Sequence, residues 1–297
     1  MGTPSRLLAM TTGPCLLAAV ATGQGVQMKS ITSYPAGTLP RAAALADMDG
    51  GGDLDVVLTG EAPARVAVLY NTRGSLSTGP SLPLGLPSRV GRLAAADLDG
   101  DGDIDLAATH RQGTLVLVEN VGGALAIRSS MSLSSAPDDI VAGDLDGDGD
   151  FDLVVTGEYG GELHALWNQG GFAFATQSHA MPLGTASLAL GRVTGRGPLD
   201  VVVACSDSDQ VLVFTPIYLQ AWLLVGLPPV ALDHVYPRDV SVGDVDGNGF
   251  ADLVAVGLTY QGFTLGRAQV VLSQGAGGFQ KLGSFWPKPG PVGSCAL

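Results

Sequence analysis

Residues 144–152 read Asp144-Leu145-Asp146-Gly147-Asp148-Gly149-Asp150-Phe151-Asp152, with an aspartate at every second position. The carboxylates at positions 1, 3, 5 and 9 of this stretch can converge on one point, because the two glycines let the backbone curl around it. Aspartates at this density repel one another unless a cation compensates their charge. Hard oxygen donors in a tight loop suit Ca²⁺. The stretch therefore predicts a calcium-binding loop.

The stretch resembles the first half of an EF-hand loop, which has Asp at positions 1, 3 and 5 and Gly at position 6. It departs from that loop at position 12, which is Val155 and not Glu. The residues from Leu153 to Val155 are typical of a β-strand and not of an exiting helix. We therefore expect the loop to join two strands and to take its last carboxylate from position 9.

The nine-residue pattern occurs five times, beginning at residues 47, 97, 144, 192 and 244, in steps of 50, 47, 48 and 52 residues. The first copy has Gly51 at position 5 and the fifth has Asn248 there. The fourth copy, Arg192–Asp200, keeps only the glycines and the last aspartate. A repeat near 50 residues indicates a solenoid, a propeller or an array.

Each repeat contains short apolar segments separated by turn-forming residues, which predicts β-strands. In the second repeat the expected strands are Arg92–Ala96, Ile104–Thr109, Leu115–Glu119 and Ala124–Arg128, and the acidic loop joins the first to the second. Four strands in about 50 residues make one propeller blade. We therefore predict an all-β fold, a β-propeller of four-stranded blades. Its five repeats lie at about 41–88, 89–138, 139–187, 188–238 and 239–290.

The pattern Asp-x-Asp-Gly-Asp-Gly-x-x-Asp-Leu before a Val-rich strand resembles the FG-GAP repeat of integrin α-subunit propellers and the VCBS-type repeats of bacterial surface proteins. The resemblance covers about residues 26–290. It implies that each loop binds Ca²⁺ between the first and second strands of its blade. The ligands that it implies are Asp47, Asp49 and Asp55; Asp97, Asp99, Asp101 and Asp105; Asp144, Asp146, Asp148 and Asp152; and Asp244, Asp246, Asn248 and Asp252.

The closure of the ring is left open by the sequence. Propellers of this family usually have about seven blades, and five are visible here. Residues 26–34 resemble an outermost strand that could complete the fifth blade, and Phe279–Phe285 could fill the same place, but both cannot. A free sheet edge would invite association with another chain.

The net charge of −13 is concentrated in the loops. The four intact loops hold 4, 5, 5 and 3 aspartates, which is 17 of the 28 acidic residues. Four bound Ca²⁺ ions would leave a net charge of about −5. The sequence has no basic stripe that could meet phosphates, so nucleic acid is not an expected partner.

Residues 1–21 have one arginine, an apolar stretch and Ala19-Val20-Ala21, which favours a secretory signal peptide before a single domain at 22–297. The alternative is a disordered tail. Residues 211–232 carry no charge, but their three prolines argue against a membrane span. A secreted or cell-surface location follows. In an oxidising compartment Cys205 and Cys295 could pair; otherwise Cys205 is a small buried residue.

The fourth repeat departs from the others at two places. Arg192 and Arg196 stand where other loops carry aspartate, and the expected turn between its third and fourth strands, Thr215–Gln220, is largely apolar. These two turns lie at the same end of a blade. We therefore expect one surface, the blade-four surface, which is either a site of self-association or partner binding or a loop in which an Arg–Asp200 pair replaces the cation. Its residues are Arg192, Arg196, Ile217, Tyr218 and Leu219.

The sequence offers no recognisable catalytic set. The four histidines lie apart, and neither a nucleophile elbow nor a zinc-protease motif occurs. We therefore expect a binding or adhesion module, not an enzyme, whose partner is a protein or a glycan. The alternatives are a structural subunit of an extracellular assembly and, on fold analogy alone, a polysaccharide-acting enzyme.

Overall fold

The computed structural model describes residues 39–61, 63–87, 90–157, 161–182, 184–218, 222–233, 235–258 and 266–285. The predicted signal peptide, the strand expected at 26–34, Leu219 and Cys295 lie outside this part of the chain. The described residues form an all-β fold of five antiparallel sheets.

Each sheet corresponds to one repeat, and we call the sheets blades 1 to 5. Blade 1 is β1 (Pro40–Ala46), β2 (Asp55–Glu61), β3 (Ala64–Thr72) and β4 (Ser75–Pro83). Blade 2 is β5 (Val90–Ala96), β6 (Asp105–His110), β7 (Thr114–Val121) and β8 (Ala124–Ser132). Blade 3 is β9 (Pro137–Gly143), β10 (Asp152–Gly157), β11 (Glu162–Asn168) and β12 (Phe174–Ala180). Blade 4 is β13 (Thr185–Gly191), β14 (Asp200–Cys205), β15 (Gln210–Tyr218) and β16 (Trp222–Gly226), with the two-residue β17 (Val230–Ala231) beside β15. Blade 5 is β18 (Tyr236–Gly243), β19 (Asp252–Leu258), β20 (Gly266–Ser273) and β21 (Phe279–Phe285).

Each blade is an up-and-down meander in which sequential strands pair, and the acidic loop joins the first strand to the second. In blade 2, for example, Ala96 pairs with Asp105 across the loop, and Leu106 pairs with Val118. Every residue of β6, β10 and β14 is buried, whereas β8 and β12 are mostly exposed. The second strand therefore lies in the middle of the structure and the fourth strand at its periphery, as in a propeller blade.

The blades pack face to face in chain order. The first strands contact one another in series, β1 with β5, β5 with β9, β9 with β13, and β13 with β18. An apolar cluster fills each of these four junctions. No comparable packing joins β18 to β1 within the described ranges.

The acidic loop also connects each blade to the next one. Its second residue is buried at four of the five loops, as Met48, Leu98, Leu145 and Val193, and packs in the cluster at the junction with the following blade. At three junctions the carbonyl of this residue accepts a hydrogen bond from the end of the third strand of the following blade. The three bonds are Asn120 Nδ2 to Met48 O at 3.0 Å, Asn168 Nδ2 to Leu98 O at 3.0 Å, and Ser273 Oγ to Val193 O at 2.6 Å.

Two sequence predictions on the strands are corrected or decided by this fold. The turn predicted at Thr215–Gln220 is wrong, because β15 continues to Tyr218 and pairs Tyr218 with Trp222 of β16. The segment Phe279–Phe285 is β21, so it fills the fourth place in blade 5.

The remaining expectations concern Cys205 and the uncharged segment. Cys205 is a buried free thiol, and burial raises its pKa to about 11. Residues 211–232 contribute to β15, β16 and β17 and not to a helix. Across the described ranges, no helix has the length and apolar character needed to cross a bilayer.

We expect Ser273→Ala to lower the free energy of unfolding by about 1–3 kcal/mol, because it leaves the buried Val193 carbonyl without its donor. Thr215 of blade 4 is likewise buried, but its hydroxyl contacts that of Thr194 in its own blade, at 3.5 Å, and the position equivalent to Ser273 is Pro216. Thr215→Val is therefore the matched control and should cost less. Urea denaturation measures both values, and equal losses would show that the bond between the blades contributes nothing.

Candidate metal centres

The glycines at positions 4 and 6 give the acidic loops their curl. Gly100 and Gly102 have φ values of 82° and 96°, in the left-handed region that favours glycine. This curl directs their amides at the first carboxylate, so Gly100 N donates to Asp97 Oδ1 at 2.8 Å and Gly102 N to Asp97 Oδ2 at 2.9 Å. The same two bonds reach Asp47, Asp144 and Asp244 in the first, third and fifth loops. In the first loop the donors are the amides at positions 5 and 6, Gly51 and Gly52.

The carboxylates at positions 3 and 5 are held by the amides two residues further on. In the second loop Asp101 N donates to Asp99 Oδ1 at 3.2 Å, and Asp103 N donates to Asp101 Oδ1 at 2.8 Å. Each bond uses one oxygen of the carboxylate. The second oxygen can then serve as a ligand.

The aspartate at position 9 is buried and begins the second strand of its blade. Its two oxygens accept amides from two different segments. Leu98 N donates to Asp105 Oδ2 at 3.0 Å, and Asn120 N donates to Asp105 Oδ1 at 2.8 Å. Asp55, Asp152 and Asp252 make the equivalent pairs of bonds. This residue therefore ties the loop to the third strand.

Three carboxylates converge in each of the four intact loops, with one oxygen of each lying within 4.8 Å of the others. Such a group could hold a metal ion. The clusters combine positions 1, 3 and 9 in the first, third and fifth loops and positions 1, 3 and 5 in the second. Their members are Asp47, Asp49 and Asp55; Asp97, Asp99 and Asp101; Asp144, Asp146 and Asp152; and Asp244, Asp246 and Asp252.

All twelve of these aspartates were predicted from the sequence, and three further predicted ligands have different surroundings. Asp105 and Asp148 lie outside the clusters, although Asp148 shares a side-chain hydrogen bond with Asp146. Asn248 Nδ2 donates to Ser273 O at 2.7 Å, and its Oδ1 accepts from Phe250 N at 2.8 Å. The side chain of Asn248 therefore braces the fifth loop against β20.

The raised pKa values of three loop carboxylates indicate where a positive charge is needed. Burial, with the nearby charges of Asp146 and Asp148, raises the pKa of Asp152 to about 7 against the opposing effect of its two amide donors. Burial and the neighbouring aspartates likewise raise the pKa of Asp146 and of Asp105 to about 6. A divalent cation among these oxygens would remove the repulsion, and a donor set made of oxygen alone suits Ca²⁺.

The fourth loop replaces its acidic cluster with a hydroxyl. Thr194 N donates to Asp200 Oδ2 at 2.6 Å, and Thr194 Oγ1 donates to Asp200 Oδ1 at 2.9 Å. Arg196 Nη2 donates instead to Ala276 O of blade 5 at 2.7 Å. The interpretation as an Arg–Asp200 pair is therefore wrong, since the described contacts of Asp200 come from Thr194.

The blade-four surface lies at the end of blade 4 that carries this loop. Gly197 of the loop lies against Pro216 of β15, which brings the loop and the end of that strand together as predicted. Arg192, Arg196 and Tyr218 are exposed, and Tyr218 shows 65% of its surface. The site of self-association expected here stays a prediction.

Sequence reasoning missed the role of position 7 in two loops. Asp103 Oδ2 accepts from Gly122 N at 2.7 Å, and Asp53 Oδ2 accepts from Arg73 N at 2.8 Å. These side chains hold the turn between the third and fourth strands and do not join the clusters. The Asn and Gly residues of those turns were visible in the sequence, but their position beside the acidic loop was not.

Comparison with known proteins agrees with this geometry. Residues 47–108, 97–155 and 144–203 each match the FG-GAP-like repeat. Each match begins at an acidic loop and extends through the next loop into its second strand, and together the matches cover more than half of the chain. No curated protein matches the chain significantly. With its repeated four-stranded sheets and the loops that join their first two strands, the chain belongs to the FG-GAP-like repeat family.

Proposed function

We propose that this protein is a Ca²⁺-stabilised propeller-type module that binds a protein or a glycan outside the cell, in adhesion or a related role. The observation that carries the proposal is the convergence of three carboxylates in each of four loops. FG-GAP-like repeats often bind Ca²⁺ and are typical of extracellular or surface proteins. A signal peptide in residues 1–21 is part of this proposal.

Bound Ca²⁺ would supply positive charge at the centre of each loop. The loop residues then do the structural work: glycine amides orient the first carboxylate, and the position-9 aspartate ties the loop to the third strand. A loop fixed in this way presents its second residue to the following blade. Because the unfolded chain lacks the converged carboxylates, the binding free energy becomes folding free energy.

We propose binding and not catalysis partly because of the surroundings of His164, a histidine that could be considered for catalysis. His164 is buried, with Nε2 lying 3.4 Å from the hydroxyls of Ser134 and Ser135 and Nδ1 lying 2.9 Å from the Ser178 hydroxyl. Burial lowers the pKa of His164, although the charge of Glu162 opposes this shift. A buried imidazole among three hydroxyls serves packing and hydrogen bonding.

A second candidate is a structural subunit of an extracellular assembly, and the exposure of the blade-four surface favours it. Tyr218 is 65% exposed, and exposed arginines accompany it. Tyrosine and arginine are enriched at protein interfaces.

Removing calcium should lower the stability strongly. At a free Ca²⁺ concentration of 100 times Kd, each loop contributes about 2.7 kcal/mol, which corresponds to a fall in Tm of about 5–10 °C per loop on chelation. Calorimetry of the protein with EGTA, and again after Ca²⁺ or Mg²⁺ is added back, measures this effect. A Tm that does not change when calcium is removed would contradict the proposal.

The third loop should bind more tightly than the first. Asp146→Ala removes a ligand from a loop with five aspartates, whereas Asp49→Ala removes one from a loop with Gly51 at position 5. We expect Asp146→Ala to reduce Tm in Ca²⁺ by more than Asp49→Ala does, and the two variants to differ less in EGTA. Calorimetry in both buffers checks this, and a larger loss for Asp49→Ala in Ca²⁺ would reverse the ranking.

The blade-four surface should contribute to partner binding. Tyr218→Ser should weaken retention on a glycan array or on extracellular-matrix proteins by about tenfold, the usual loss for a central interface tyrosine. Val121→Ser, at a residue 59% exposed in blade 2, is the matched control and should bind like the wild type. Equal binding by both variants would place the partner site elsewhere.

A further inference from the structure

The four internal junctions share one construction, which defines two faces on every blade. The leading face turns toward the following blade and carries the second residue of the acidic loop. In blade 2 it includes Leu98, Ala107, Leu115 and Leu117, each at most 1% exposed against blade 3. The receiving face turns toward the preceding blade.

Blade 5 has a leading face that nothing in the described chain covers. Val245 is the second residue of its loop, in the place of Leu98, and is 60% exposed. Val256 is 39% exposed, and Val254 and Val270 are half-buried, although the residues at these three places in blade 2 are fully buried. The face is therefore apolar and accessible where its counterparts form a core.

The receiving face of blade 1 is less buried than the receiving face of blade 2. Val56, Leu58 and Ala67 are half-buried. Their counterparts in blade 2 pack against blade 1 and are 0%, 0% and 2% exposed; they are Leu106, Ala108 and Val116.

The asparagine on the receiving face of blade 1 makes one of the two hydrogen bonds that its counterpart in blade 2 makes. Asn71 stands in the place of Asn120 and donates through Nδ2 to Leu54 O at 3.0 Å, as Asn120 donates to Ile104 O. Asn120 Nδ2 makes a second bond to Met48 O of the preceding blade. In the described part of the chain, Asn71 Nδ2 has no such acceptor from a preceding blade.

We propose that blade 5 of one copy docks on blade 1 of a second copy, and so repeats between chains the junction that each chain forms four times within itself. Val245 then packs on the receiving face of blade 1, as Met48 of blade 1 packs on the receiving face of blade 2. Its carbonyl accepts a hydrogen bond from Asn71 Nδ2. The two halves of this junction lie on one chain, but within the described residues β18 and β1 of that chain show no packing comparable with that of the internal junctions.

The partner is a second copy because both surfaces already match each other. The receiving face accepts an aliphatic residue with a free carbonyl, and the leading face of blade 5 offers one in Val245. The contact is heterologous, since different patches meet, so association gives either a closed ring or an open series of copies. This inference rests on the blade fold and is independent of the proposed extracellular ligand.

The first experiment is sedimentation of the full-length protein in Ca²⁺ over a range of concentrations. The wild type should form dimers or larger species that dissociate on dilution. Val245→Asp should weaken association at least about 100-fold, because it buries an unpaired charge in the junction. Val121→Asp is the matched control, since Val121 is 59% exposed on an internal blade, and it should associate like the wild type.

The second experiment tests the pairing of the two faces. Leu58→Asp disables the receiving face and Val245→Asp disables the leading face, so each variant alone should be monomeric. An equal mixture should form a 1:1 dimer and stop there, because one intact junction remains. Should Leu58→Asp fail to fold by circular dichroism, Asn71→Ala replaces it, with association weakened about 5- to 10-fold.

Three results would overturn the proposal. A wild type that is monomeric at every concentration means that the faces are closed within one chain or covered by another of its segments. A Val245→Asp variant that associates like the wild type places the contact on another surface, such as the blade-four surface. A mixture of the two folded variants that stays monomeric shows that the faces do not pair.

Discussion

The buried carboxylate at position 9 is the interaction on which each blade depends. Asp105 accepts one amide from its own loop and one from the third strand, so a single side chain fixes three segments that the sheet ladder alone would leave loosely related. A buried carboxylate with two amide donors is stable only while both bonds are made. The curl of the loop and the placement of its second residue therefore follow from this anchor. The packing of one blade on the next depends in turn on that second residue.

The fourth loop separates this structural role from metal binding. Asp200 is fully buried and keeps its backbone bond from Thr194, although every other acidic position of the loop is lost. The Thr194 hydroxyl supplies the second donor. The anchor is thus retained without an acidic cluster, and the blade still forms with the same strand order. Position 9 is therefore kept where the acidic cluster is lost, so the fold requires this aspartate independently of a cation.

Much of the fold could be predicted because the loop pattern fixes both local geometry and period. The glycines and aspartates are local signals, and the twelve clustered aspartates were all found from them. The features that were missed depend on residues far apart in the chain. The end of β15 is set by pairing with Trp222, which propensity at Pro216 could not reveal. The partner of Asp200 was mistaken because an arginine suggests an ion pair more readily than a threonine hydroxyl two residues earlier. The Asn120 bond to Met48 spans 72 residues and has no local signature.

A chain of blades that interact only with their neighbours has a simple energetic consequence. Its stability is a sum of blade terms and junction terms, so the first and the last described blade each have one junction fewer than the blades between them. In this protein the deficit appears on both ends as half-buried or exposed aliphatic residues, on the receiving face of blade 1 and the leading face of blade 5. Because the second residue of each of the four intact loops lies between two candidate metal ligands, ordering of the loop and packing of the next blade are coupled. The fifth loop orders Val245 at a face that no described blade covers, so its contribution to stability depends on what that face meets.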